Sequence, residues 1–181
     1  MNMMLHAIGF GLLFLLSIQA NEVPVQKDFN PQLFTGKWYG IAAASNNPMF
    51  LKMKKDLSRP IIVFTLHGND FKAEIGYMTP KGCQKRVMTY HAIANGHYSS
   101  SDQGKMDIRI IGTDYKSFAL EYTLAEQENK ETSVMLKLYG RKTDMPAEVQ
   151  KQYEQYCASL GLTKDHMVVF PNADECVPGK F

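Results

Sequence analysis

The strongest constraint on the fold is a series of short segments in which apolar and polar residues alternate. In Phe71–Tyr77 every second residue is apolar, while Lys72 and Glu74 lie between them. A period of two places the apolar side chains on one face of a β-strand. The strand-like segments are Lys37–Ser45, Ile61–Leu66, Phe71–Tyr77, Gln84–Ile93, Lys105–Gly112, Tyr115–Leu124, Ser133–Tyr139 and His166–Phe170. Short strands at hairpin spacing predict an antiparallel all-β barrel or sandwich, and sequential pairing throughout is typical of an up-and-down barrel.

Two stretches between these segments do not show strand-like alternation. Asn46–Arg59 is polar and too long for a hairpin turn, so we expect a loop of the kind that often carries function. Asn95–Ser101 is rich in glycine, asparagine and serine, and we expect an irregular connection there.

One helix is predicted after residue 140. Asp144 and Pro146 are start signals and Gly161 is a stop signal. Its apolar stripe consists of Met145, Val149, Tyr153, Tyr156, Cys157 and Leu160. Tyr115–Leu124 and Ser133–Tyr139 are apolar on both faces, which indicates cover on both faces. We therefore expect the helix to lie on the outer side of these two strands.

The first 20 residues are predicted to be a signal peptide, not part of the fold. The apolar run Ile8–Ile18 ends near the small residue Ala20 and is shorter than the roughly 20 residues that a bilayer needs. A membrane anchor is the alternative. We expect residues 21–181 to form one secreted, extracellular domain without stable membrane insertion. The near-balance of 20 Lys and Arg against 18 Asp and Glu argues against nucleic acid as a partner, because such domains usually carry a basic excess.

Three cysteines, Cys83, Cys157 and Cys176, favour one disulfide and one remaining thiol in an oxidising compartment. Spacing alone leaves all three pairings open. There is no Cys-x-x-Cys motif, and the five histidines show no spacing typical of a metal site. No Ser, His and Asp set has the spacing of a catalytic triad. We predict neither a metal, a cofactor nor a catalytic residue.

Three short motifs match the pattern of one protein family. They are Gly36, Trp38 and Tyr39, then Thr113, Asp114 and Tyr115, and finally Arg141. In this order and at this separation they resemble the three signature regions of the lipocalins. The resemblance covers the whole mature chain and implies an eight-stranded antiparallel up-and-down β-barrel, one C-terminal α-helix packed outside it, and a short ninth strand. It also implies that the Arg141 guanidinium stacks on the Trp38 indole at the closed end of the barrel.

Within this family the chain is similar to the branch containing lipocalin-type prostaglandin D synthase, neutrophil gelatinase-associated lipocalin and avian extracellular fatty-acid-binding protein. Residues 44–46, 138–141 and 161–171 carry that similarity. The branch pattern implies a Cys83–Cys176 disulfide. Cys157 is then a free thiol on the apolar stripe of the helix, either buried and inert or, in a dimer, bridging two chains. A monomer is expected.

The resemblance leaves two functions from different classes, a carrier of a small hydrophobic ligand and a prostaglandin isomerase. The isomerase chemistry needs a cavity thiol near the start of the second strand, and Pro60 occupies that position. Siderophore binding in this branch needs three cavity cations, and these positions hold Met88, Met135 and Ala125. A secreted carrier of a fatty-acid, retinoid or prostanoid-like molecule is therefore the preferred interpretation.

Alternation, with family spacing for residues 86–90, identifies the side chains expected to face the cavity. The predicted ligand-binding residues are Phe50, Ile62, Phe64, Ile75, Tyr77, Arg86, Met88, Tyr90, Ile108, Glu121, Met135, Lys137 and Tyr139. Phe50 belongs to the long loop and, with Leu51 and Met53, is expected to form part of a mobile lid. A barrel filled solidly by these side chains is the alternative.

Charged residues among these positions give a sharper expectation. If the hairpin is centred near residue 129, Glu121 and Lys137 are direct cross-strand neighbours that face the cavity as an ion pair. The opposite phase would put both charges in water. Arg86 either joins Lys137 in holding a ligand carboxylate or lies solvated at the barrel rim.

Overall fold

Eight strands pair in sequence order and close into an antiparallel barrel. The computed structural model describes residues 22–129 and 131–179, so the predicted signal peptide, residues 1–20, lies outside the described residues. The strands are β1 Gly36–Ser45, β2 Ile61–His67, β3 Asp70–Thr79, β4 Gly82–Ala94, β5 His97–Ser100, β6 Lys105–Thr113, β7 Phe118–Glu126, β8 Thr132–Gly140 and β9 Met167–Val169. The helices are α1 Pro31–Phe34, α2 Pro48–Met53 and α3 Ala147–Ser159, with 3₁₀ turns at Lys54–Asp56 and Lys164–His166. The predicted all-β barrel with one C-terminal helix is confirmed.

Strand β1 closes the barrel by using both of its edges. One edge pairs with β8 along most of its length. The other edge pairs with β2 over Gly36–Tyr39 and with β9 over Ala42–Ala44. The ninth strand thus continues the edge of β1 where β2 no longer pairs with it, which leaves less unpaired backbone.

Side chains separate into an inner core inside the barrel and an outer core beneath α3. The buried residues of the inner core are Phe29, Phe34, Trp38, Ile62, Phe64, Phe71, Ala73, Met88, Tyr90, Tyr98, Ile108, Ile110, Ala119 and Tyr139. The buried residues of the outer core are Tyr39, Ile41, Ala42, Ala44, Ile61, Ile111, Leu120, Tyr122, Leu136, Leu138, Tyr153, Cys157 and Leu162. Since Leu120 and Leu136 pack with Tyr153 of α3 in the outer core, the predicted position of the helix is confirmed.

The closed end is built on Trp38 and Arg141. The guanidinium of Arg141 stacks over the Trp38 ring, as the family pattern implies, and the indole N–H donates to the Phe34 carbonyl at 2.8 Å. Gly36 has φ of 95°, a left-handed value that favours glycine. An added Cβ there would also lie 3.4 Å from the Arg141 guanidinium. Glycine therefore lets the backbone turn directly below the stacked pair.

The predicted strand Tyr115–Leu124 begins too early. Tyr115 has φ of 64°, and the Asp114 carboxylate accepts hydrogen bonds from the backbone N–H groups of Ser117 at 2.8 Å and Phe118 at 3.0 Å. This local hydrogen bonding forms a turn and delays the strand to Phe118. The Tyr115 hydroxyl accepts from the Asn30 N–H at 2.8 Å and so ties the N-terminal segment to the closed end.

Two predicted irregular stretches contain regular structure. The expected irregular connection Asn95–Ser101 includes β5, which pairs with both β4 and β6. The expected loop Asn46–Arg59 includes α2, whose first turn is capped by the Asn47 side chain accepting from Met49 N and Phe50 N at 2.9 and 3.1 Å. β5 has four residues and α2 has six, and segments this short do not give a recognisable pattern in sequence.

Candidate ligand-binding site

The inner wall follows from strand register. On β3, Ala73 pairs with Phe64 of β2 and Met88 of β4, so these side chains lie at one level of the barrel. On β7, Glu121 pairs with Ile110 of β6 and Lys137 of β8. Each predicted lining residue on these strands belongs to the inward-facing set, whereas Phe50 belongs to α2.

Aromatic rings fill the closed half of the barrel. Ring centroids lie 5.0 Å apart for Phe34 and Phe64, 5.6 Å for Phe64 and Tyr90, and 6.3 Å for Phe64 and Tyr139. These are ordinary distances for packed aromatic pairs. Phe64, Tyr90 and Tyr139 are each at most 3% exposed, so their rings leave little open space in this half. The three residues form the floor of the remaining space.

The open half retains accessible surface. Lys137 faces inward, beside Glu121, yet 26% of its side chain is exposed. Around and above it, inner-wall side chains are only partly buried. These are Ile75, Tyr77, Met106 and Met135. Space that a water molecule can reach therefore extends into the barrel as far as Lys137.

The predicted Glu121–Lys137 ion pair is present. The ammonium group of Lys137 donates to Oε1 of Glu121 at 2.8 Å, and the Tyr90 hydroxyl donates to Oε2 at 3.1 Å. Glu121 is completely buried. Burial, together with the negative charge of Glu121, raises the pKa of Tyr90 well above its usual value, so Tyr90 stays a neutral donor. Both carboxylate oxygens are thus satisfied by fixed donors.

Arg86 lies at the rim and not beside Lys137. It shares the inward phase with Met88 and Tyr90, but its side chain is exposed near the open end. Its Nη1 donates to Gln103 at 3.0 Å, and its guanidinium lies 5.8 Å from the Tyr77 ring centre. The expectation of a second interior cation with Lys137 is therefore wrong. The structure shows the alternative placement, in which the Arg86 side chain is solvated at the barrel rim.

The segment that follows β1 at the open end carries partly exposed apolar side chains. Phe50 and Leu51 of α2 are half-buried, whereas Met49 is 70% and Met53 47% exposed. A capped helix, rather than an irregular loop, positions these residues. The proposed lid movement stays a prediction.

Sequence reasoning missed three inward-facing hydroxyls on the β5–β7 wall, those of Tyr98, Ser100 and Thr123. Ser100 and Thr123 are 3% and 5% exposed, and their hydroxyl oxygens have no hydrogen-bond partner among the described residues. Ser100 lies on the strand that was not predicted. Thr123 shares the phase of Glu121, and this was the available signal, but only the structure shows that its hydroxyl is unpaired.

The cysteines leave no thiol inside the barrel. Cys83 and Cys176 form the expected disulfide. The tail that carries Cys176 packs on β3 at Gly76, where an added Cβ would lie 1.9 Å from the Cys176 carbonyl oxygen. Cys157 is completely buried in the outer core, and burial raises its pKa to about 11. The thiol of Cys157 is therefore covered by the outer core.

Metal-ligand clusters and membrane-crossing helices are both absent from the part of the chain that the structure describes. Among the described residues no group of three or more His, Cys, Asp or Glu side chains is placed to hold a metal ion. Within 22–129 and 131–179, no helix combines the length and apolar character that a membrane crossing would require.

Comparisons with known proteins agree with this architecture. The lipocalin / cytosolic fatty-acid binding protein family matches residues 35–174. The olfactory protein of Lithobates pipiens is 36% identical over 177 residues, covering 97% of this chain and 99% of that protein. The prostaglandin-H2 D-isomerase of Ovis aries is 27% identical over 177 residues, covering 92% of this chain and 91% of that protein.

A solved structure shares the fold. It is that of the siderocalin Ex-FABP, described as having dual ligand specificities, with a TM-score of 0.71 and 24% identity over 80% of this chain and 94% of that chain. The barrel, the stacked Trp38–Arg141 pair and the match over residues 35–174 lead to one conclusion: the chain belongs to the lipocalin family.

Proposed function

We propose that this protein is a secreted carrier that binds one small apolar or amphipathic molecule, of the fatty-acid, retinoid or prostanoid-like kind, in the open half of the barrel. The observation that carries the proposal is the inner wall around Lys137, where inward apolar side chains keep accessible surface above an aromatic floor. Apolar walls with a few placed polar groups are typical of small-molecule sites. The family includes fatty-acid-binding proteins, which supports a hydrophobic ligand.

Secretion is supported by the disulfide and by the apolar N-terminal run. Cys83 and Cys176 bond across a separation of 93 residues, and disulfides persist in oxidising compartments. We propose cleavage after Ala20, with residues 21–181 as the mature domain. N-terminal sequencing of protein secreted by transfected cells tests this, and a mature protein that begins at Met1 would contradict it.

Helix α2 is proposed to act as part of a lid. Its half-buried Phe50 and Leu51 belong to the segment that joins β1 to β2 at the open end. We propose that these side chains move when a ligand enters. Hydrogen exchange of residues 48–53 should slow when a ligand is bound.

The binding proposal is tested with a neutral fluorescent apolar probe and with retinol as its competitor. Met135→Trp adds bulk to the open half and should weaken probe binding by about tenfold or more, because the larger side chain occupies the ligand volume. Val87→Trp is the matched control, since Val87 is 44% exposed on the outer face of β4. Equal binding by both variants, or no binding by the unmodified protein, would contradict the proposal.

A prostaglandin isomerase is the second candidate, because a relative over most of the chain carries that name. We propose that this chain does not catalyse the reaction through a cavity thiol. Pro60 stands at the expected position, and its carbonyl accepts from the Gly40 N–H at 2.8 Å. The remaining thiol, Cys157, is buried under α3. Incubation of purified protein with the prostaglandin endoperoxide tests this, and turnover that is lost in Cys157→Ser would contradict it.

A further inference from the structure

The interior of the barrel is electrically balanced. Lys137 is the cation of the described inner wall, and its ammonium group is held at 2.8 Å by Glu121. Tyr90 donates to the second oxygen of the same carboxylate. Arg86 is outside, at the rim, and is bonded to Gln103. A ligand carboxylate entering the open half would meet a lysine already neutralised and would bring a second negative charge close to Glu121, at an energetic cost.

The same wall carries hydroxyls that lack partners. Thr123 lies on β7 two residues beyond Glu121 and pairs with Ile108 on one side and Met135 on the other. Its hydroxyl has no hydrogen-bond partner among the described residues and is covered from water. Ser100, which pairs with Met106, is in the same condition. A buried hydroxyl without a partner is costly, so each such group in a native protein calls for an explanation.

Methionines lie next to these hydroxyls on the inner wall. Met135 is the cross-strand neighbour of Thr123, and Met106 is that of Ser100. Both side chains are only partly buried. Methionine is unbranched and adapts its shape easily, so a ligand can displace these side chains and reach the hydroxyls without moving the backbone.

We propose that the ligand is an uncharged apolar molecule bearing an oxygen atom, such as an alcohol, aldehyde, ketone or ester, and that its oxygen binds the hydroxyl of Thr123, with Ser100 offering a second polar contact. The proposal rests on the carrier function above and narrows it to the uncharged members of the ligand classes named there. The ligand oxygen completes the hydrogen bonding of Thr123. Carboxylates are excluded because Lys137 is already paired with Glu121.

The test compares 1-decanol, decanoic acid and decane as competitors of a neutral fluorescent apolar probe at neutral pH. The unmodified protein should bind decanol about tenfold or more tightly than decanoic acid or decane. Only the alcohol can hydrogen-bond the Thr123 hydroxyl without adding a charge. Thr123→Val keeps the side-chain shape and should weaken decanol binding by about fivefold to tenfold while leaving decane binding unchanged. Thr65→Val, on the exposed outer side of β2, is the matched control and should change neither.

A second variant tests the charge balance independently of Thr123. Glu121→Gln leaves Lys137 without its counter-ion and should tighten decanoate binding by about tenfold or more, since charge-assisted bonds are the stronger ones. Glu74→Gln removes one negative charge from the outer face, where Glu74 lies 3.4 Å from Lys72, and should not alter decanoate binding. Thermal unfolding of each variant verifies that it is folded.

The outcomes separate the two proposals. If the probe does not bind the unmodified protein, the carrier function fails and the ligand inference falls with it. If the probe binds but decanoic acid competes as well as decanol, or Thr123→Val binds decanol as tightly as the unmodified protein does, only the inference of an uncharged oxygenated ligand is overturned. Unchanged decanoate binding in Glu121→Gln would also overturn it.

Discussion

The guanidinium carbon of Arg141 lies 3.7 Å from the centre of the Trp38 ring. In the same position the guanidinium donates to the Lys37 carbonyl at 2.8 Å and to the Thr35 carbonyl at 2.9 Å. One planar side chain thus covers the indole and binds the backbone on both sides of Gly36. A cation stacked on a ring and bonded to several carbonyls joins the N-terminal turn to the end of β8.

Arg141→Lys should therefore destabilise the barrel although it keeps the charge. An ammonium group cannot lie flat on the indole and cannot reach the same set of carbonyls. We expect the free energy of unfolding to fall by about 2–3 kcal/mol. Urea unfolding followed by the fluorescence of Trp38, the single tryptophan, measures this. Lys142→Ala, at an exposed neighbouring position, should have little effect. A loss no larger than that of this control would contradict the structural role of the stack.

Removing only one partner of the interior ion pair should cost more than removing both. Lys137→Met leaves the buried Glu121 carboxylate without its cation, and a loss of about 3–5 kcal/mol in the free energy of unfolding is expected. Adding Glu121→Leu removes the unpaired charge and should recover much of that stability, because apolar replacement of a buried pair is often neutral or better. Urea unfolding of the two single variants and the double variant measures the coupling. Additive effects would show that the two residues are not a pair.

The ion pair could be predicted because a hairpin is symmetric about its turn. With the turn centred at residue 129, the register places Glu121 opposite Lys137, and the apolar neighbours Leu120 and Leu136 are required under α3. Alternation then decides which face the charges occupy. Alternation also gave the inner wall of β2 and β3 and the position of α3 over β7 and β8, whereas the phase of residues 86–90 on β4 came from family spacing.

Depth along the barrel could not be predicted in this way. Arg86 and Met88 share one face, but alternation does not say which of them passes the rim, since that depends on strand tilt and barrel length. The strand β5 has four residues, too few for a recognisable period, so Tyr98 and Ser100 were missed. Which hydroxyl lacks a partner depends on contacts between distant strands, and the sequence does not record these.

Stability at acid pH should depend partly on Asp114. Although burial raises the pKa of this carboxyl, hydrogen bonds from the Ser117 hydroxyl and from the N–H groups of 116–118 prevail and lower it below its ordinary value of 3.8. A lowered pKa contributes stability above the unfolded-state value, and that stability is lost as the pH falls through the folded-state value. The contribution of Asp114 to stability should thus be constant above about pH 5 and decline below about pH 4.

Asp114→Asn tests this dependence. It should reduce stability at neutral pH and make the decline below pH 4 shallower, because the amide does not titrate and accepts weaker hydrogen bonds. Asp102→Asn is the comparison, since Asp102 is an exposed aspartate that accepts one backbone bond, from Thr89. Urea unfolding from pH 2.5 to 7 measures both. An acid decline identical to that of the unmodified protein would contradict the role of Asp114.

The remaining thiol should be unreactive while the protein is folded. Cys157 is completely buried between α3 and the outer face of the barrel, and burial raises its pKa to about 11. At neutral pH it is neither accessible nor ionised, and the thiolate is the reactive species. A thiol reagent such as iodoacetamide should modify Cys157 only as fast as the structure opens, and denaturant should accelerate the reaction steeply. For the same reason the protein should not form disulfide-linked dimers when oxidised in the folded state. Mass spectrometry of labelled protein and non-reducing electrophoresis measure the two effects, with Cys157→Ser as the blank. Rapid labelling without denaturant, or a dimer absent from Cys157→Ser, would show that α3 opens far more readily than its packing indicates.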